Sequence, residues 1–223
     1  LAVETDKAFK AIAKDTDWAF YIQGDEVISE KYLSTIKEAM EEYKDSENVD
    51  GLLFKYKHFY GSYDYVGAST KWYAEEIRVI KNNRRIYSYK DAQGFRKGEN
   101  EKLRVVPIKA YIFHYGWVKD PKAMQRKQEN FNKLWHDDQW VKENVIQTDA
   151  FDYGKDVSRL ELFNEDHPEV MKERIAATNW KFSHDISIDR KSGKERAKGF
   201  LKKIGIDTSF KNYELAKVSK NKR

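Results

Sequence analysis

The chain has 223 residues, of which 35% are charged and 14% aromatic, and it contains no cysteine. Six Trp, 14 Tyr and 12 Phe call for a packed core and exclude a disordered chain; the lack of cysteine excludes disulfides, thiolate metal sites and a Cys nucleophile, and suits a reducing compartment. The formal charge of +5 is unevenly placed, with a net +9 in residues 190–223 and a net −4 in 1–189, so the folded body argues against a nucleic-acid partner while the basic tail fits an anionic membrane surface.

No apolar stretch approaches the length of a membrane span. Residues 5–14 predict a short helix, with Thr5 as its cap and Ala8, Phe9, Ile12 and Ala13 on one face. The run from Trp18 to Gln23 is apolar on both faces, the pattern of a central parallel strand covered by helices. Ser29 is placed to cap a second helix, whose buried stripe is Tyr32, Leu33, Ile36, Ala39, Met40 and Tyr43. A long strand follows from Leu52 to Tyr60, with Leu52, Phe54, Tyr56, His58 and Tyr60 on one face and Lys55 and Lys57 on the other. "YGSYDYVGAST" reads as a loop, "EEIRVI" as a strand, "NNRR" as a turn and "IYSYKDAQGFRKG" as a polar, aromatic loop. "LRVVPIKAYIFHY" supplies one or two strands, with Pro107 marking an edge or bulge. Asp120-Pro121 starts a helix whose inner face is Met124, Gln128, Phe131 and Trp135. The region 150–189 is irregular apart from a helix from Pro168, and 193–204 is a basic helix.

The strand at 18–23 ends in Gly24-Asp25-Glu26. In open α/β sheets ligands bind beyond the carboxyl ends of strands, and a glycine there lets the backbone approach a ligand. Two carboxylates fixed by a sheet yet open to solvent suit a hard divalent cation. The alternative is that they cap the next helix or solvate a turn. Among the five histidines, His114 follows an apolar strand; by itself it also reads as a core histidine bonded to backbone. His58, on an aromatic strand face, reads as structural. His136 sits beside Asp137 and Asp138 on a predicted helix, where neighbours point apart.

Three segments in order, "DWAFYIQGDEVISEKY", "EEIRVIKNN" and "AYIFHYGW", resemble the family 2 glycosyltransferases of the A-type fold, bacterial enzymes of lipopolysaccharide and surface-glycan assembly above all. The resemblance covers roughly residues 1–147. It implies an α/β fold, the later half of the A-type domain: a mixed, mostly parallel sheet with flanking helices, followed by a helical extension over 148–223. The family's first strands and helices, which bind the nucleotide, are then expected before Leu1. It also implies a divalent cation, Mg²⁺ or Mn²⁺, on the diphosphate of a nucleotide-sugar donor. Asp25 falls at the second acid of the family's Asp-x-Asp, Glu26 at the acid after it and Gln23 where the first Asp usually stands, with His114 completing the metal shell. Gln23, Gly24, Arg78 and Arg96 would line the donor, with Arg78, Arg96 and Lys97 facing its diphosphate; the alternative for Arg78 is a salt bridge to Glu76.

An inverting transferase needs a base. Asp91 is the first choice because its loop resembles the family's acceptor-side loop, with Glu76 and Glu75 as competitors. Trp72, Tyr73, Tyr63 and Tyr65 are candidates for stacking on an acceptor sugar. Together these readings give a nucleotide-sugar-dependent glycosyltransferase acting on a cell-surface glycan or lipid-linked acceptor, cytoplasmic and peripheral at the inner membrane face. The alternative is a carbohydrate- or protein-binding domain that keeps the fold without the chemistry, which Gln23 in an acid's place favours.

Overall fold

The structure is a computed structural model that describes all residues except 91–93, 146–147, 156, 158, 188, 190–191, 205–209 and 219–223. In chain order the elements are α1 (Ala2–Lys10), β1 (Trp18–Phe20), β2 (Glu26–Ile28), α2 (Leu33–Glu42), β3 (Gly51–Tyr60), β4 (Tyr65–Gly67) and β5 (Glu75–Lys81). Next come β6 (Ile86–Ser88), β7 (Phe95–Lys97), β8 (Glu101–Trp117), α3 (Pro121–Asn132) and α4 (Asp138–Asn144). The chain continues through β9 (Leu160–Leu162), α5 (Lys172–Ala176), α6 (Gly193–Lys203) and β10 (Tyr213–Leu215). This is an α/β arrangement around one mixed sheet, ordered β1-β5-β3-β8-β7-β6, with β2 and β10 also on β8, β4 on β3, and β9 on β4.

The parallel pair β3 and β8 forms the centre, from Gly51 opposite Val105 to Tyr60 opposite Trp117. Both strands bury side chains on both faces: Leu52, Leu53, Phe54 and Phe59 in β3, and Val105, Ala110, Ile112 and Phe113 in β8, are all at most 1% exposed. That double burial is what a central strand requires. One core lies under α2, where Ile36 and Ala39 meet Leu52, Phe54, Val106 and Ile112. A second lies on the far face against Phe9 of α1. Pro107 stands where the β3–β8 register shifts, a position that tolerates the missing N–H. Asp120 caps α3 by accepting hydrogen bonds from the Lys122 and Ala123 amides. Among the described residues, no helix is long and apolar enough to cross a membrane.

Several expectations are corrected. The apolar run from Trp18 is not a central parallel strand: β1 has three residues and pairs antiparallel with β5 at the end of the sheet order. Phe20 and Ile22 are 40% and 47% exposed accordingly. The sheet is not mostly parallel, since only β3–β8 and β10–β8 are parallel pairings among the described residues. The polar "IYSYKDAQGFRKG" stretch is not wholly loop but contains the β6–β7 hairpin. Thr5 does not cap α1; its hydroxyl bonds the Leu1 carbonyl from inside the helix. Ser29 makes no side-chain cap either. Leu33, Phe131 and Trp135 are exposed rather than on inner faces. Residues beyond 147 also enter the sheet, through β9 and β10.

Candidate functional site

Period-two alternation and strand register gather a row of polar side chains on one sheet face. Glu76 and Arg78 come from β5, Tyr56 and His58 from β3, His114 from β8, and Glu26 from β2. The register sets Glu76 opposite Phe54, His58 opposite His114, and Glu26 opposite His114 on β8's other side. His58 and His114 stand toward the carboxyl ends of the two central strands, the usual end for ligands in α/β sheets.

The two adjacent acids part company here. Glu26 is buried and fully committed: Arg78 grips it through Nε to Oε2 at 2.9 Å and Nη2 to Oε1 at 2.6 Å. The Tyr56 hydroxyl donates to Oε1 at 2.7 Å and the Gln23 amide to Oε2 at 3.2 Å. Asp25 instead keeps 37% of its side chain exposed, its Oδ2 at 3.6 Å from both His114 Nε2 and Lys127 Nζ. The neighbouring His114 holds the Asp25 carboxyl down to about 2, against the burial that pushes it up, and Lys127 adds to the effect.

A relay behind His114 fixes its orientation. His58 Nε2 lies 2.8 Å from the Tyr73 carbonyl, which only accepts, so this nitrogen carries the proton. Burial, with His114 beside it, lowers the His58 pKa to about 4, so the ring is neutral and its Nδ1 accepts. The partner at 3.0 Å is His114 Nδ1, which therefore donates and leaves Nε2 turned to Asp25. Gly116 makes room for the pair, because a Cβ there would lie 2.6 Å from both Asp25 Oδ2 and His114 Nε2. Lys127, projecting from α3, donates to the Gly116 carbonyl at 2.8 Å. Lys119 is held below its usual pKa by burial and by Lys127 and Arg174, which marks this rim as cationic.

The other candidates are distributed as follows. Gln23 donates its side-chain amide to the Tyr21 hydroxyl at 3.3 Å. A Cβ at Gly24 would meet nothing within 4 Å, so its face is open. Arg78 is spent on Glu26 and does not face the site as a free cation. Arg96 is buried, stacked on Tyr89 at 4.1 Å and bonded to the Asn212 backbone and side chain; it clamps the C-terminal segment. Asp91 lies outside the described residues. Glu76 makes no side-chain hydrogen bond or ion pair among the described residues, and burial raises its pKa to about 7. Tyr63 and Tyr65 are buried among other aromatics, whereas Tyr73 is 42% exposed.

The expected set of Asp25, Glu26 and His114 does not assemble, because Arg78 and Tyr56 occupy both Glu26 oxygens. No group of three or more metal-ligating side chains occurs among the described residues. Asp25 and His114 remain. A carboxylate oxygen and an imidazole held in place by His58, converging over Gly116, fit a divalent ion that takes its other ligands from phosphate and water. Lys127, sharing the same Asp25 oxygen, would have to yield to such an ion. Sequence reasoning missed His58 as the orienting group, Lys127 as the counter-charge and Gly116 as the gap. Only the alternation of Tyr56 and His58 pointed toward the first. No protein-family model matches the chain, and no curated protein matches it.

Proposed function

We propose that this chain carries the reaction centre of an A-type glycosyltransferase that uses a nucleotide-sugar donor and a glycan or lipid-linked acceptor. The observation that supports this most is the convergence of Asp25 Oδ2 and His114 Nε2, with Lys127 alongside, on the sheet face near the ends of β3 and β8. Asp25 and His114 would hold Mg²⁺ or Mn²⁺, which when bound neutralises the charge of a leaving diphosphate. Lys127 and Lys119 add fixed positive charge at the same rim. Glu76 is the base: among the described residues its carboxylate has no hydrogen-bond or ion-pair partner, and a pKa near 7 suits proton uptake at neutral pH. It takes the acceptor hydroxyl's proton as that oxygen bonds to the anomeric carbon, and the diphosphate departs with the electron pair of its own bond, inverting the centre.

The experiment is a calorimetric titration of UDP, GDP, dTDP and CMP-type nucleotides into the protein, with and without Mn²⁺. One of these should bind at least about tenfold more tightly with Mn²⁺, and Asp25→Asn should remove that gain while the circular dichroism spectrum stays unchanged. If no nucleotide binds under either condition, the transferase reading fails. The second reading, a binding domain without the chemistry, is then preferred; the protein's mere two candidate ligands are the feature that favours it.

A further inference from the structure

A cavity of about 1010 Å³ opens beside the site, at the upper end of the size range of ligand pockets. One wall is the segment 68–76, which leads into β5; the opposite wall is α6 together with residues 210–213. We infer that this cavity binds a saccharide, with Tyr73 and Phe200 stacking on sugar rings and Glu76 accepting a hydrogen bond from a sugar hydroxyl. The inference rests on the transferase reading and assigns its acceptor to a place, with the C-terminal segment as the far wall.

Three features carry it. Tyr73, Phe200 and Phe210 are 42%, 64% and 79% exposed, yet all three line the same cavity; large exposed aromatic rings grouped in one concavity mark a binding surface. Flat rings pack on the C–H faces of sugars and leave the hydroxyls to polar neighbours. Second, among the described residues the charged lining is nearly balanced, five basic against four acidic side chains, which suits a neutral polyhydroxylated ligand better than a phosphate-rich one. Third, the near wall touches the reaction centre. Trp72 stacks on His58 at 5.1 Å, and the Tyr73 carbonyl accepts the hydrogen bond from His58 Nε2. Tyr73 of that wall also packs against His114, their ring centroids 6.4 Å apart. The far wall is anchored rather than loose: β10 pairs with β8, Arg96 holds Asn212, and the Tyr213 hydroxyl donates to Glu75 at 2.9 Å.

The test is an array of immobilised oligosaccharides probed with the intact protein and with two variants, Tyr73→Ala and Phe200→Ala. Phe200 is exposed on α6, so its replacement leaves the fold intact even where Tyr73→Ala does not. At least one oligosaccharide should bind, and Phe200→Ala should weaken it by about tenfold while nucleotide titrations stay unchanged. Absence of any bound oligosaccharide, wild-type binding by both variants, or displacement by free uracil or adenine would overturn the inference. Saccharide binding without nucleotide binding would keep this site and remove the transferase reading. Nucleotide binding without saccharide binding would do the reverse.

Discussion

Asp25 and Glu26 are chemically alike and one bond apart along the backbone, yet Glu26 lies in a closed network while Asp25 keeps a solvent-facing oxygen. The difference sets opposite expectations. Glu26→Ala leaves the Arg78 guanidinium buried and unpaired, which costs about 3–5 kcal/mol. Asp25→Asn, at a partly solvated pair, costs no more than about 1 kcal/mol. Urea denaturation of the two variants checks this, and equal losses would contradict the assignment of roles. Glu76 gives a pH-dependent expectation. Its pKa rises in the fold from 4.5 to about 7, so the folded state holds its proton more tightly than the unfolded chain. That contribution is complete below pH 4.5 and is lost as the pH rises through 7. Glu76→Gln removes the cost of the charged form, so at pH 7.5 it should stabilise the protein by up to about 3 kcal/mol relative to its effect at pH 4. A shift in unfolding midpoint of the same size at both pH values would rule this out.

At the scale of elements, what was readable followed from local pattern. Alternation gave β3 almost to its ends, the Asp120-Pro121 pair gave the start of α3, and Pro107 marked the irregularity in β8. Misreadings arose where the deciding contact is distant in sequence. An apolar six-residue run looks the same at a sheet's edge and at its centre; only the partner, β5 some 60 residues on, tells them apart. His58 is visible as a strand residue, but its bond to His114 depends on the parallel register of β3 and β8, which no local signal encodes. The pairing that commits Glu26 is equally invisible to local pattern, since Arg78 lies 52 residues away. The polarity of 86–98 concealed a hairpin whose Gly94 takes a φ of 137°, a conformation open chiefly to glycine.

For the molecule as a whole, the uneven charge takes on a different meaning once the chain is folded. Part of the basic region 190–223 is not a free tail: α6 walls the cavity and β10 completes an edge of β8. The sheet thus brings together a cationic rim at Lys119 and Lys127, a carboxylate–imidazole pair over Gly116, and an aromatic cleft lined by the Glu76 carboxylate. The proposed chemistry depends on the first two accepting a divalent ion. The direct measurement is an NMR titration of Mn²⁺, in the presence of the nucleotide that binds best, followed at the histidine ring resonances. Broadening should be strongest at His114 and next at His58, and should vanish in Asp25→Asn. Unbroadened His114 resonances, or broadening that persists without the Asp25 carboxylate, would contradict the account.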